Sequence, residues 1–314
     1  MKAILFAAFL SGLAYAGDEA KDITADATHI MAGGAADIMA GGAAAIMEKM
    51  AAKMDEDAEI RRLYVYQQVI KGSMIRGDGQ LSHQETREYT VTPQATGTDK
   101  KLVSLKGEYR KGKEKQTLSY TEPGFKYKDN DIDGELLSDL IDDLTGDKDS
   151  RDGISESLFP LRTKDLASYK FSMKGRTEYK GRSTYEITFE PLPSKDVCIH
   201  VGDAGHDCED RPWKGEAWID AEDLQPVRID TELGRKIPWV VRGLLGTNLK
   251  QLGFSVSYTR VADGVWFPST YGTEFRVDLL WFYKRTITMS LVNSGFQKTD
   301  ANSKITYDLP RQGP

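Results

Sequence analysis

The sequence predicts a mainly β protein of the α+β class. One large, curved antiparallel sheet forms an unclosed barrel, with a few helices packed on its concave side. Three observations support this fold: apolar and polar residues alternate after Arg62, helical patterns are few, and turn residues separate the alternating runs. Alternation with a period of two is typical of strands with one buried face. A single sheet of about ten to twelve strands is expected to curl rather than stay flat.

The chain begins with the pattern of an export signal. Met1-Lys2 is followed by an apolar run from Ala3 to Leu13 and then by Ala14-Tyr15-Ala16. A basic start, a short apolar run and an A-x-A site predict a signal peptide over residues 1–16, of bacterial or eukaryotic type. The apolar run is shorter than the roughly 20 residues that span a bilayer. We therefore expect a secreted protein that is peripheral rather than integral to the membrane.

Residues 17–45 are rich in Ala and Gly and contain a near-repeat of eight residues. Because each Gly weakens a helix by about 1 kcal/mol relative to Ala, this segment is predicted to be mobile or weakly helical, with a true helix starting near Ala43. Its methionines are predicted to be apolar packing, with a copper(I) site as the alternative. On the helix, apolar residues share one face and acidic residues the other: Ile46, Met50, Met54 and Ala58 against Glu48, Asp55 and Glu59.

Residues 46–314 are predicted to form a single barrel domain. Turns are expected at Gly175, Lys180-Gly181, Asp263-Gly264 and Gly272. Two further helices are expected, an acidic one over residues 135–144 and one over residues 238–245. The clearest alternating runs are Phe171–Met173, Tyr185–Phe189, Val227–Ile229, Phe254–Tyr258, Phe275–Trp281 and Ile287–Leu291.

The two cysteines, Cys198 and Cys208, flank a polar loop that contains Gly202 and Gly205. Export to an oxidising compartment favours a disulfide across this loop. In the chain-entropy model, closing so short a loop stabilises the fold by roughly 2–3 kcal/mol. The loop also contains His200 and His206, so a four-ligand zinc site is the alternative.

The run from Asp129 to Gly134 reproduces the first half of a calcium loop. Asp129, Asp131 and Asp133 supply oxygens at positions 1, 3 and 5, and Gly134 occupies position 6. Position 12 is Leu140 rather than a bidentate Glu. The alternative is an acidic turn in which Asp133 caps the following helix.

Composition and missing motifs exclude several classes of function. A formal net charge of -6, with Lys and Arg scattered among acids, argues against a nucleic-acid partner. The sequence lacks a Gly-x-Ser-x-Gly elbow, a His-Glu-x-x-His motif, a phosphate-binding Gly-x-x-x-x-Gly-Lys loop and a dinucleotide fingerprint. We therefore expect no enzyme activity and no cofactor.

Three stretches together resemble a known family. Trp213–Asp220 with Leu224–Ile229 is similar to the "G-x-x-W-I-D … P-x-R-I/L" strand pair of LolA-like outer-membrane lipoprotein-sorting proteins. Tyr258–Pro268 resembles the turn that follows in divergent members, and Gly181–Ile187 with Pro191 resembles the preceding strand. The resemblance covers roughly residues 60 to 310. It implies an unclosed antiparallel barrel with a helical lid, whose cavity binds acyl chains of lipoproteins or other hydrophobic ligands.

The chain also departs from that family. It is longer than a typical carrier, it carries the Ala/Gly/Met extension, and the Cys198–Cys208 loop lies between two strands. No residue of the sequence could be matched to the arginine that such carriers use inside the cavity.

The resemblance and the apolar strand faces together predict a periplasmic carrier that sequesters a lipid or lipoprotein acyl chain, with an envelope protein as a further partner. One alternative is a structural or sensing module of the envelope with a filled core, and another is a calcium-dependent envelope hydrolase. The predicted cavity wall consists of aromatic residues on apolar strand faces: Trp218, Trp239, Phe254, Trp266, Phe275 and Trp281.

Overall fold

The computed structural model describes residues 29–93, 98–111, 114–119, 132–145, 161–193, 213–233, 247–250, 253–261, 264–279 and 283–299. The predicted signal peptide (residues 1–16) and the predicted helix over residues 238–245 lie outside these ranges. Within the described ranges, no helix has the length and apolar character needed to cross a membrane.

Twelve strands of the described chain join in one sheet, and every pairing is antiparallel. The sheet is not closed: its path runs β4-β3-β2-β1-β12-β11-β10-β8-β7-β6-β5, and β9 pairs with β11. The predicted fold class, a mainly β protein with one open antiparallel sheet, is confirmed. The strands are β1 Tyr64–Arg76, β2 Leu81–Pro93, β3 Thr98–Lys111, β4 Glu114–Ser119, β5 Tyr169–Tyr179, β6 Arg182–Pro191, β7 Trp213–Asp220, β8 Pro226–Leu233, β9 Thr247–Lys250, β10 Gly253–Arg260, β11 Trp266–Leu279 and β12 Tyr283–Lys298.

In the described residues, two α-helices and a short 3₁₀ helix accompany the sheet: α1 His29–Arg61, α2 Ile132–Thr145 and the 3₁₀ helix Thr163–Ser168. Helix α1 packs against β5, and α2 packs against β1 and β2. Buried residues of both helices belong to one apolar core with the strands. The predicted acidic helix over residues 135–144 is therefore confirmed, as is the packing of helices on one face of the sheet.

Helix α1 differs from the prediction in two respects. It begins at His29, well before the expected start near Ala43. Alanine, the strongest helix former, is frequent in the repeat and offsets the cost of its glycines. The buried face is centred on Met47, Met50 and Met54, whereas Ile46 is half-buried.

The predicted turns agree with the structure at Lys180-Gly181 and at Gly264, and they fail at Gly175 and Gly272. Lys180 and Gly181, with φ of 51° and 78°, connect β5 and β6 in the conformation that two-residue hairpins favour. Gly272, predicted as a turn, lies inside β11, and Gly175 lies inside β5 at a register shift. A glycine inside a strand often marks such a bulge. Asp263 lies outside the described residues, and Gly264 beside it has a φ of 79°.

Candidate functional site

A continuous row of side chains crosses one face of the sheet from strand to strand. We call this row the inner row and the strand face that carries it the inner face. Nine of its ten residues are apolar or aromatic, and the exception is Arg87 on β2. Following the register of the pairings, the row is Met173, Ile187, Ala217, Ile229, Val256, Tyr271, Leu291, Ile70, Arg87 and Leu105.

Helix α1 covers the inner face toward β5 and is attached by polar contacts near its C-terminal end. The Asp57 Oδ2 atom accepts hydrogen bonds from the backbone N–H of Trp266 at 2.9 Å and from Nε2 of Gln225 at 3.0 Å. Arg61 donates from Nη1 to the carbonyl oxygen of Trp266 at 2.8 Å. Burial raises the pKa of Asp57, because its neighbours offset only part of the desolvation.

Helix α2 covers the part of the inner face formed by β1 and β2. Its apolar residues Leu137, Ile141 and Leu144 are buried in the same core. The Leu137 side chain lies against Gly72 of β1, where an added Cβ would sit 2.9 Å from Leu137 Cδ1. The absent side chain at Gly72 therefore makes room for the helix.

The first turn of α2 is attached to the sheet through the carboxylate of Asp133. It accepts hydrogen bonds from Ser82, from Tyr283 at 2.7 Å, and from Nε of Arg285 at 2.9 Å. Burial alone would raise the pKa of Asp133, but these hydrogen bonds and the charge of Arg285 outweigh it and lower the pKa. These hydrogen bonds anchor the first turn of α2 to the sheet.

A buried polar chain follows β2 under α2. His83 lies 3.2 Å from Glu85, and Nε of Arg87 donates to Glu85 Oε1 at 2.7 Å. The same guanidinium reaches the helix, donating to Asp142 at 3.1 Å and to Ser138 at 2.9 Å. Arg87 thus links strand β2 to helix α2.

A second cation, Lys100 of β3, lies near the C-terminal end of α2. Its Nζ donates to the carbonyl oxygen of Thr145. Burial lowers the pKa of Lys100 from 10.5 to about 7, although the negative charge of Asp142 acts in the opposite direction.

Of the six predicted wall residues, three are buried in the main core. These are Phe254, Trp266 and Phe275, whereas Trp239 and Trp281 lie outside the described residues. Phe254 packs edge-to-face on Trp213, with the ring centroids 5.0 Å apart.

Trp218 is a correction to the predicted wall. It lies on the opposite strand face from its buried neighbours Ala217 and Ile219, and its ring stacks on Tyr179 with centroids 5.9 Å apart. Strand residues alternate between faces, so Trp218 is not part of the inner face.

The other predicted sites fall mainly outside the described residues. Cys198 and Cys208 lie there, as do Asp129 and Asp131 of the calcium loop. Asp133 is described, and both of its oxygens accept hydrogen bonds from Arg285. In the ranges that the structure covers, no group of three or more His, Cys, Asp or Glu side chains could hold a metal ion.

Reasoning from the sequence missed the polar residues of the inner face, namely Glu85, Arg87 and Lys100. Strand β2 carries polar residues on both faces, so a search for apolar alternation passes over it. A signal was nevertheless present: His83, Glu85 and Arg87 recur with a period of two.

Comparison with protein-family models finds no match, and comparison with curated proteins finds none either. The matching solved structures include a DUF1329 family protein from Desulfovibrio piger, with 11% identity, a TM-score of 0.36, and coverage of 83% of this chain and 95% of that chain. A LolA superfamily protein from Nitrosomonas europaea has 9% identity and a TM-score of 0.30, covering 80% and 94% of the two chains. The Mycobacterium tuberculosis lipoprotein LppX has 10% identity and a TM-score of 0.24, covering 82% and 97%.

The LolA superfamily, which the sequence motifs resemble, is thus represented among the matching structures. All three TM-scores are below 0.5, and the likenesses carry no information on ligand or activity.

Proposed function

We propose that this protein is an exported, periplasmic binding protein that sequesters an apolar chain, such as a lipid or lipoprotein acyl chain, without catalysis. The observation that carries the proposal is the inner row, an apolar surface that crosses ten strands and is covered by two separate helices. The acyl chain would lie on this surface and replace the contacts that one of the two helices makes with it. Its burial contributes about 0.8 kcal/mol per CH₂ group.

The attachment of α2 supports its role as the movable cover. The helix is held by side chains, whereas the strands are held by continuous backbone pairing. One of its links, the Arg87–Asp142 ion pair, involves a carboxylate that is 64% exposed. Such a partly exposed pair contributes only modestly to the closed form, in which α2 packs on the sheet. Helix α2 can therefore move away without unfolding of the sheet. Access to the inner face near β1 and β2 requires this movement, because Leu137 and Ile141 are fully buried there.

Delivery to an envelope partner fits a carrier of this kind. We propose that the protein works in the periplasm, at the membrane surface rather than within it, and exchanges its ligand with a protein of the envelope. This part of the proposal is supported by the export pattern of the first sixteen residues.

The test has two arms. Protein purified from its native host is extracted with organic solvent and analysed for lipid by mass spectrometry, and lipid-free protein is titrated with a fluorescent fatty acid. Asp142→Asn, which removes the negative charge from the link between α2 and Arg87, should bind the probe several-fold more tightly, because the open form is then more populated. Asp139→Asn is the matched control, since Asp139 is exposed on the same helix. Absence of both extracted lipid and probe binding would refute the proposal.

One observation favours a second candidate, a non-catalytic structural or sensing module. Most residues of the inner row are nearly inaccessible to solvent in this structure, so the described core is filled by its own side chains. In such a module, α1 and α2 are permanent parts of the core. Asp142→Asn would then lower stability without increasing probe binding, which separates the two candidates.

A further inference from the structure

Two cations lie on the inner face beneath helix α2. Arg87 belongs to the inner row on β2, and Lys100 lies on the neighbouring strand β3, paired with Val91. Arg87 is nearly inaccessible to solvent and Lys100 is half-buried. Buried cations require compensating charge or hydrogen-bond acceptors, because desolvation of an unpaired charge is costly.

Much of that compensation comes from the helix. Asp142 supplies a carboxylate oxygen to Arg87 at 3.1 Å and Ser138 a hydroxyl oxygen at 2.9 Å. Thr145 supplies its backbone carbonyl oxygen to Lys100. Helix α2 therefore presents to the two cations the kind of oxygen atoms that the headgroup of an anionic lipid presents.

We propose that Arg87 and Lys100 form a headgroup subsite on the inner face and bind the carboxylate of a single-chain fatty acid. The proposal rests on the proposed function, and it names the class of ligand. In the closed form the carboxylate of Asp142 occupies the position that the ligand's carboxylate takes when α2 moves away. The hydrocarbon chain extends from this point along the apolar part of the inner row.

The charge balance on the sheet supports this assignment. When α2 moves away, Asp142, Ser138 and Thr145 leave with it. Two cations then remain on the sheet, with Glu85 hydrogen-bonded to Arg87 at 2.7 Å and also in contact with His83. An incoming carboxylate restores the lost partner through charge-assisted hydrogen bonds. A neutral ligand of the same length supplies no negative charge in place of Asp142.

The experiment compares two ligands that share one acyl chain, one with a charged carboxylate and one with a neutral methyl ester. Dodecanoate and methyl dodecanoate are titrated into the lipid-free full-length protein by calorimetry, and the measured quantity is the ratio of their dissociation constants. This ratio cancels any effect of a variant on opening of the helix. In the unmodified protein, dodecanoate should bind about tenfold more tightly than methyl dodecanoate, which is the contribution of a charge-assisted hydrogen bond.

Lys100→Gln and Lys101→Gln form the matched pair of variants. Both replace the amine of a lysine on β3, but Lys101 is exposed and adjacent in sequence, so it lies on the other strand face. Lys100→Gln should reduce the preference for dodecanoate about threefold, and Lys101→Gln should leave it unchanged. Arg87→Gln should bring the ratio of the two dissociation constants close to one. If Arg87→Gln does not fold, the comparison of Lys100→Gln with Lys101→Gln decides the outcome.

Each result has a distinct meaning. Equal binding of the two ligands by the unmodified protein, or equal ratios in the Lys100 and Lys101 variants, overturns the headgroup subsite and leaves the proposed function standing. Failure of both ligands to bind overturns the proposed function together with the subsite.

Discussion

The guanidinium of Arg285 on β12 holds the carboxylate of Asp133 on α2, with Nε 3.1 and 2.9 Å from the two oxygens. The two residues are 152 positions apart in the chain. This ion pair joins the start of the helix to the middle of the sheet, and both partners are largely buried. The position of α2 over the inner face therefore depends on a contact that the packing of apolar side chains does not provide.

Replacement of Asp133 by Asn should destabilise the protein by about 3 kcal/mol at pH 7, because a largely buried Arg285 loses its counter-charge. The pKa of Asp133 is lower in the folded protein than in the unfolded chain. Its contribution is therefore complete above the unfolded pKa and is lost as the pH falls through the folded value. Urea unfolding at pH 7 and pH 3 should show a large difference between the two proteins at pH 7 and a smaller one at pH 3. Asp139→Asn serves as the exposed control on the same helix, and an equal loss in both variants would contradict the role of Asp133.

Lys100 should change stability in the same direction, but in a higher pH range. Its folded pKa, about 7, lies below its ordinary value of 10.5, and the charged group that faces it is Asp142. Between these two values the unfolded chain binds the extra proton, so stability rises with pH by at most about 1.4 kcal/mol per unit. Below pH 7 the full cost of burying the charge is present. The free energy of unfolding of Lys100→Met, measured by chemical unfolding between pH 7 and 10, should lack this rise, whereas that of Lys101→Met should keep it. Parallel pH profiles for all three proteins would show that Lys100 is not buried as described.

The fold was predictable where burial produces a regular pattern. Strand β10 alternates Phe254, Val256 and Tyr258 with exposed or half-buried residues, and β12 does the same with Ile287, Met289 and Leu291. In the runs Phe254–Tyr258 and Ile287–Leu291 the inner residues are apolar and the outer residues polar, so the sequence alone identifies the buried face there. The order of the strands follows from neighbouring antiparallel pairs, but the pairing of β1 with β12 joins distant segments and leaves no local signal.

The site was less predictable for a related reason. The residues that attach α2 to the sheet are polar, and each is compensated by a partner far away in the sequence, as Arg87 is by Asp142. A single sequence shows the charges but not the pairing. Trp218 illustrates the converse, because aromatic character predicted an inner position while the register places it on the other face. The disulfide of Cys198 and Cys208 and the calcium loop at Asp129 and Asp131 stay predictions.

Gly72 should tolerate substitution poorly, since Leu137 of α2 occupies the space beside it. Gly72→Val should lower the free energy of unfolding by about 1–3 kcal/mol, the usual cost of overpacking, and should displace α2. Gly272 is the matched control: it is also a strand glycine, but a Cβ there meets nothing within 4 Å. Because valine favours strands, Gly272→Val should leave stability unchanged or slightly raised. Thermal unfolding of the two variants decides this, and an equal loss in both would show that α2 does not pack on Gly72.

The last prediction concerns Trp266, which the sequence suggested as a cavity wall and which the structure also uses to attach α1. Its indole Nε1 donates to Asp223 Oδ2 at 3.2 Å. Trp266→Phe keeps most of the ring but removes the donor, and should cost about 1–2 kcal/mol of stability. A double-mutant cycle with Asp223→Ala isolates this contact, because Asp223 also pairs with Arg182 and Arg260. A coupling energy of about 1 kcal/mol in urea unfolding is expected for residues in contact, and simple additivity would mean that the indole is held by packing alone.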